Sequence, residues 1–180
     1  MTHSTKAIYR LMLADFVKVT YSSSGEDQLY TEQDLRHSME KIEVLDYRQE
    51  VDVGGIRFWG YPAGHVLGAA MFMVDIAGMR MLYTGDYNRE EDRHLNGARV
   101  PEVSPDVCII ESTYGVQSHQ PRRERERLFT EAISTALQRG GKVLCPVFSL
   151  GRTQELMLLL EEFWEAHPEL QGFTVYFASP

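Results

Sequence analysis

His65, Asp86 and Glu111 are the residues whose types and settings could carry chemistry in this 180-residue sequence. Each follows directly on a short apolar run that reads as a buried strand. His65 lies in Pro62-Ala63-Gly64-His65, Asp86 in Tyr83-Thr84-Gly85-Asp86, and Glu111 after Val107-Cys108-Ile109-Ile110. Polar groups just past core strands, beside glycines that let other atoms approach, are a common way to build a metal or phosphate site. Zinc accepts imidazole nitrogen and carboxylate oxygen, and an aspartate can bridge two metal ions. The bland readings are a hydrogen-bonded core histidine and an aspartate that caps a turn, and both are frequent. The three residues lie far apart in sequence, so spacing alone does not decide between the readings.

The elements that must position them fall into two styles. Ser4 can cap a first helix running to about Val17, with Ile8, Leu11, Met12 and Phe16 as its apolar face. A polar loop, Ser22–Asp27, follows. Thr31 and Asp34 form a capping box that opens a second helix, with Leu35, Met39 and Ile42 inward. From Glu43 the period becomes two, predicting strands over 43–47, 56–61, 70–76, 80–83 and 107–110, with Ala77-Gly78 as a hairpin turn. After Gly115 the pattern alternates helix and strand. A helix beyond Pro121 carries Leu128, Phe129, Ala132, Ile133, Ala136 and Leu137 and stops at Gly140-Gly141. Lys142–Phe148 reads as a strand, Gly151-Arg152 opens a helix with Leu156, Leu159, Leu160, Phe163 and Trp164, and Phe173–Phe177 reads as a last strand. Such alternation predicts a parallel sheet, and the change of style predicts a domain boundary near Gly115.

A net charge of −8 and 43% hydrophobic content describe an ordinary globular chain, without the basic surface that holds nucleic acid by bulk electrostatics. Metal ions could still supply positive charge locally. No apolar run is long enough to span a membrane, and the first residues lack the apolar stretch of a secretory signal. Cys108 and Cys145 lie in apolar runs with no nearby ligand partner, so buried thiols and a reducing, intracellular setting are expected. The alternating signs of Arg122–Arg127 read as a solvated helix face. Tyr114, His94 and His119 receive no role.

Four motifs in order change the balance. They are Gly64-His65-Val66-Leu67-Gly68-Ala69; Tyr83-Thr84-Gly85-Asp86 with Glu91-Asp92-Arg93-His94-Leu95; Glu111-Ser112-Thr113-Tyr114-Gly115; and Pro146-Val147-Phe148-Ser149-Leu150-Gly151-Arg152-Thr153-Gln154-Glu155. Together they resemble the metallo-β-lactamase/β-CASP nucleases over nearly the whole chain. The resemblance implies an α/β fold: part of a metallo-β-lactamase αββα sandwich over 1–115, then the start of a β-CASP domain with a parallel sheet over 116–180. It implies His65 as a ligand of one zinc and Asp86 as the carboxylate bridging two. Glu111 would be the acid that orients a histidine assisting the leaving group. Arg152, at a helix start, could meet a backbone phosphate, and a salt bridge to Glu155 or a packing role is equally compatible.

The implied reaction is two-metal hydrolysis of a phosphodiester, cleaving pre-mRNA ahead of polyadenylation. The implied partners are pre-mRNA and the other subunits of a cleavage and polyadenylation complex, in the nucleus. The family's His-x-His-x-Asp-His motif and its two later histidine motifs are missing from these residues. The expectation is therefore an internal fragment whose zinc site is incomplete and which is inactive by itself. An Integrator-type or prokaryotic nuclease of the same family, or a non-catalytic scaffold paralogue, remains an alternative at this point.

Overall fold

The computed structural model describes residues 1–23 and 29–178. The chain divides into two compact units, Met1–Glu91 with Gly97–Glu111, and Asp92–Asn96 with Ser112–Pro180.

The first unit opens with two helices, α1 (His3–Ser23) and α2 (Glu32–Lys41), followed by strands β1 (Val51–Val53), β2 (Ile56–Pro62), β3 (Ala70–Ile76), β4 (Met79–Tyr83) and β5 (Val107–Ile109). The strands form one sheet in the order β1-β2-β3-β4-β5. The first three pairings are antiparallel, and β5 lies parallel to β4. Each antiparallel step is a short reversal. Between β3 and β4 only Ala77 and Gly78 intervene, with φ of 52° and 86°. That is the left-handed pair a tight hairpin turn needs, and glycine supplies it without strain at the second position. Asp75 secures the turn by accepting the Gly78 N–H at 3.0 Å while its other oxygen accepts from Arg57 at 2.9 Å. Burial pushes the Asp75 carboxyl up, but the Gly78 N–H and the Arg57 and Arg80 charges hold it below the usual range.

Strand alternation places Trp59 and Tyr61 of β2, Met71 and Met73 of β3, and Leu82 of β4 on one face, where they form the core with Ala63 and Ala98. Trp59 donates its indole N–H to the Tyr61 hydroxyl at 2.9 Å, so the buried polar atoms of that core satisfy each other. Residues on the opposite face, including Met79, Tyr83, Val107 and Ile109, are exposed.

Several expectations are corrected here. The cap of α1 is Thr2, whose hydroxyl accepts the Thr5 N–H at 3.2 Å, and not Ser4. The helix runs past Val17 to Ser23, so it takes in the first serines of the expected polar loop; residues 24–28 of that loop lie outside the described residues. Leu11, Met12 and Phe16 are exposed, and Val17 is the buried residue. The second helix matches its expectation in the Thr31–Asp34 capping box and the burial of Leu35, but Met39 is only half-buried and Ile42, also half-buried, is the C-cap beyond the helix. The stretch 43–47 forms no strand, only a single bridge from Tyr47 to Gly60. Cys108 is exposed, because β5 is an edge strand without cover among the described residues.

The second unit contains α3 (Arg122–Gln138), α4 (Arg152–Ala166) and a 3₁₀ turn, Pro168–Leu170. Ile133 of α3 and Leu159 of α4 are buried, as their helical spacing predicts. Leu128 and Ala132 of the expected α3 face are exposed. Lys142–Phe148 and Phe173–Phe177 form no strand, and no parallel sheet forms among the described residues of this unit. A β-strand exists only through a ladder partner, and neither segment has one here. Their alternating apolar residues are accordingly open to solvent, as at Leu144 and Tyr176, and Cys145 is exposed with them.

Met73 is fully buried at the centre of the sheet core, whereas Met79 is exposed. Met73→Ala is expected to destabilise the first unit by about 2–5 kcal/mol and Met79→Ala by less than about 0.5 kcal/mol, read as shifts in urea midpoint at constant m-value.

Candidate metal centre

Strands β2 and β4 run the same way because two antiparallel steps separate them, and β5 runs parallel to β4. The C-terminal ends of all three therefore meet at one end of the sheet. The register confirms this: Phe72 faces both Gly60 and Tyr83, and Tyr83 faces Ile109. His65, Asp86 and Glu111 each follow one of these ends within three residues.

Backbone bonds tie the three loops together. Thr84 N–H donates to Ile109 O at 3.1 Å, prolonging the β4–β5 pairing to the foot of the Asp86 loop. Asn88 N–H donates to Ala63 O at 2.8 Å, fixing the Asp86 loop to the His65 loop. Glu111 joins the same frame, since its Oε1 accepts the Tyr87 N–H at 3.1 Å and its own N–H donates to the Thr84 hydroxyl at 3.3 Å. One Glu111 oxygen thus supports the residue next to Asp86.

The structure brings His65 and Asp86 together, with Nε2 3.8 Å from Oδ2. The side chains are 46% and 67% exposed, so both present donor atoms to solvent. A zinc ion about 2.0–2.2 Å from each of two tetrahedrally placed donors separates them by roughly 3.4 Å. The pair therefore fits one edge of a coordination sphere after a small side-chain adjustment. Among the described residues no group of three or more His, Cys, Asp or Glu is placed to hold a metal ion. These residues fit a metal, but only in part.

Comparison with known proteins gives the family. Residues 1–109 match the model of the metallo-β-lactamase superfamily domain. The chain belongs to the metallo-β-lactamase superfamily. It is 62% identical over its full length to cleavage and polyadenylation specificity factor subunit 3-I of Arabidopsis thaliana. Over 99% of its length it is 55% identical to endoribonuclease YSH1 of Yarrowia lipolytica and 56% identical to cleavage and polyadenylation specificity factor 73 of Drosophila melanogaster. It spans 26%, 22% and 26% of those relatives' own lengths.

Beyond the matched superfamily domain, in the second unit, Arg152 stands at the start of α4 with its side chain 67% exposed. Its acidic neighbour is Asp92, at 3.8 Å, and not Glu155. Glu155 belongs to a network, joined to Asp92 through Arg122, that residue spacing did not reveal. Arg93 donates to Glu126 through two nitrogens at 2.7 and 3.1 Å, to Glu155 at 2.9 Å and to Glu162 at 2.9 Å. Its backbone N–H donates to Glu155 at 2.7 Å, and His94 Nδ1 lies 3.3 Å from the same carboxylate. Arg122 completes the cluster through Glu126 and Glu155.

Arg122 and Glu126 are thus partly buried members of a network, and the solvated-face expectation holds for Arg127, which pairs with Glu124 and Glu131. The only available signal was the co-occurrence of Glu91-Asp92-Arg93-His94 with the charged start of α3, a pairing no local rule predicts. Tyr114 and His119 form an edge-to-face ring pair with centroids 4.7 Å apart.

Hydrogen bonds from Arg93, more than the opposing effect of burial, lower the Glu126 carboxyl from 4.5 to about 2. Burial pushes Glu155 up, while hydrogen bonds from Arg93 and His94 and the Arg122 charge bring it net below its ordinary value. A carboxyl held low when folded stabilises the folded state fully above its unfolded value and loses that contribution as pH falls through its folded value. The second unit is therefore expected to lose stability as pH drops from about 4.5 towards about 2. Denaturant titrations monitored by helical circular dichroism at stepped pH should show that acid limb, and Glu126→Gln should flatten it.

Proposed function

We propose that this chain is part of a zinc-dependent endoribonuclease that cleaves pre-mRNA before polyadenylation. The observation that carries the reading is the approach of His65 and Asp86 at the shared end of three strands, in a chain more than half identical to named cleavage factors and endoribonucleases. In this reading His65 Nε2 and the Asp86 carboxylate hold the metal, and Asp86 can bridge a second ion because it has two oxygens. Bound zinc supplies Lewis acidity, activating water and offsetting the charge that builds on the scissile phosphate. Glu111 keeps the Asp86 loop in place through Tyr87 and would orient a histidine that assists the leaving group. Arg152 offers its exposed guanidinium to a backbone phosphate of the RNA, with Asp92 orienting it.

Residues 1–115 would be the C-terminal portion of a metallo-β-lactamase domain and residues 116–180 the N-terminal portion of a β-CASP domain. The remaining zinc ligands would come from outside these residues. The partners in this reading are pre-mRNA and other subunits of a cleavage and polyadenylation complex in the nucleus. Among the described residues, no helix is long and apolar enough to cross a membrane.

Zinc titration of the 180-residue chain is expected to give weak binding that Asp86→Ala or His65→Ala abolishes, with no cleavage of RNA. A longer chain that adds a His-x-His-x-Asp-His segment is expected to cleave RNA in a zinc-dependent, Asp86-dependent manner. Failure of that longer chain to cut, with its fold intact, would sink the proposal.

A further inference from the structure

We propose that Thr2 and Thr5 are positioning residues for His65, which hold its loop to α1 through the carbonyl of Gly68. The inference rests on the reading of His65 as a metal ligand. The Thr2 hydroxyl lies 2.7 Å and the Thr5 hydroxyl 3.0 Å from Gly68 O, and the two hydroxyl oxygens are 2.8 Å from each other. Each hydroxyl has one proton to give, and the two lone pairs of the carbonyl oxygen can accept from both. Thr2 works in two directions: its proton holds the loop while its oxygen accepts the Thr5 N–H at 3.2 Å and caps the helix.

Gly68 makes this approach feasible. Its φ is +86°, and a Cβ there would lie 2.8 Å from Thr2 Oγ1, Ser4 Cβ and Thr5 N. The loop backbone thus sits closer to the helix than any side chain would permit. The rest of the loop has little freedom left. Ala69 N–H donates to Val66 O at 3.0 Å, Ala63 N–H donates to Ala69 O at 3.0 Å, and the Tyr47 hydroxyl reaches Ala69 O at 3.1 Å. His65 projects from the middle of this tied segment, so a slip at Gly68 is passed to the imidazole that faces Asp86.

The test uses the 180-residue chain, amide hydrogen exchange by NMR, and the ¹⁵N resonances of the His65 ring with and without zinc. Thr5→Val removes one donor with almost no change of shape and leaves the Thr2 cap oxygen in place. It is expected to speed exchange at Ala63 and Ala69 about tenfold while Met73 and Leu82 amides stay as they were. Thr5→Ser, which keeps the hydroxyl, is expected to restore the original rates. Thr2→Val should act in the same direction and more strongly, because the cap is lost as well. Zinc is expected to displace the His65 ring signals, with a weaker response in Thr5→Val.

Three results would overturn the proposal: unchanged exchange at Ala63 and Ala69 in Thr5→Val, equal acceleration throughout β3 and β4, or no rescue by serine. His65 signals that ignore zinc in the unsubstituted chain, with the exchange result as expected, would instead overturn the metal reading and leave the clamp standing.

Discussion

The direction of three strands is the constraint on which the candidate site depends. The loop 63–69 turns β2 into β3, the two-residue Ala77-Gly78 turn reverses β3 into β4, and a parallel crossover then brings in β5. That polarity sends the C-terminal ends of β2, β4 and β5 to one end of the sheet, where polar side chains can leave the core without breaking a ladder. A slip of one residue in the Ala77-Gly78 hairpin would exchange the faces of β4 and carry Leu82 out of the core. It would also displace the Asp86 loop from Ala63 O. The buried Asp75, fixed between the Gly78 N–H and Arg57, therefore supports both the register of the sheet and the site at its far end.

This part of the molecule was legible because its signals are local. Period-two runs with short turns predicted β2, β3 and β4 almost to the residue, and the capping box predicted α2. His65, Asp86 and Glu111 could be singled out because each interrupts the apolar pattern at a strand end. The threonines that hold the His65 loop left no such mark. Thr2 and Thr5 look like any polar helix start, and their partner is a glycine carbonyl more than sixty residues away.

The second unit was harder to read for the opposite reason. Lys142–Phe148 and Phe173–Phe177 have the composition of strands, but strand composition specifies a half-buried surface and not a backbone conformation. Without a neighbour to complete the ladder, these segments stay irregular with their apolar side chains exposed. The same logic applies to the expected faces of α1 and α3. Periodicity shows which side of a helix is fit for burial, and Leu11 and Leu128 remain exposed, as does Phe16 although its ring stacks on Tyr30. A thiol follows its segment, which is why Cys108 and Cys145 are open to solvent despite their apolar settings.

The two polar clusters differ in a way that bears on chemistry. In the second unit, Glu126 and Glu155 direct their oxygens to Arg93 and Arg122, and the lowered pKa of Glu126 reflects how those lone pairs are engaged. Carboxylates in that state are already neutralised, and a cation would have to displace two guanidinium groups to bind them. Asp86 and His65 are arranged otherwise. Their loops are tightly held by backbone bonds from Ala63, Asn88 and Thr84, while the side chains themselves face each other at 3.8 Å with much of their surface open. A rigid frame with accessible lone pairs is what a metal site requires before the ion arrives, because the cost of ordering the donors has then been met by the fold. The stronger electrostatic cluster therefore serves structure, and the weaker, more exposed pair is the candidate for a metal in the reading proposed above.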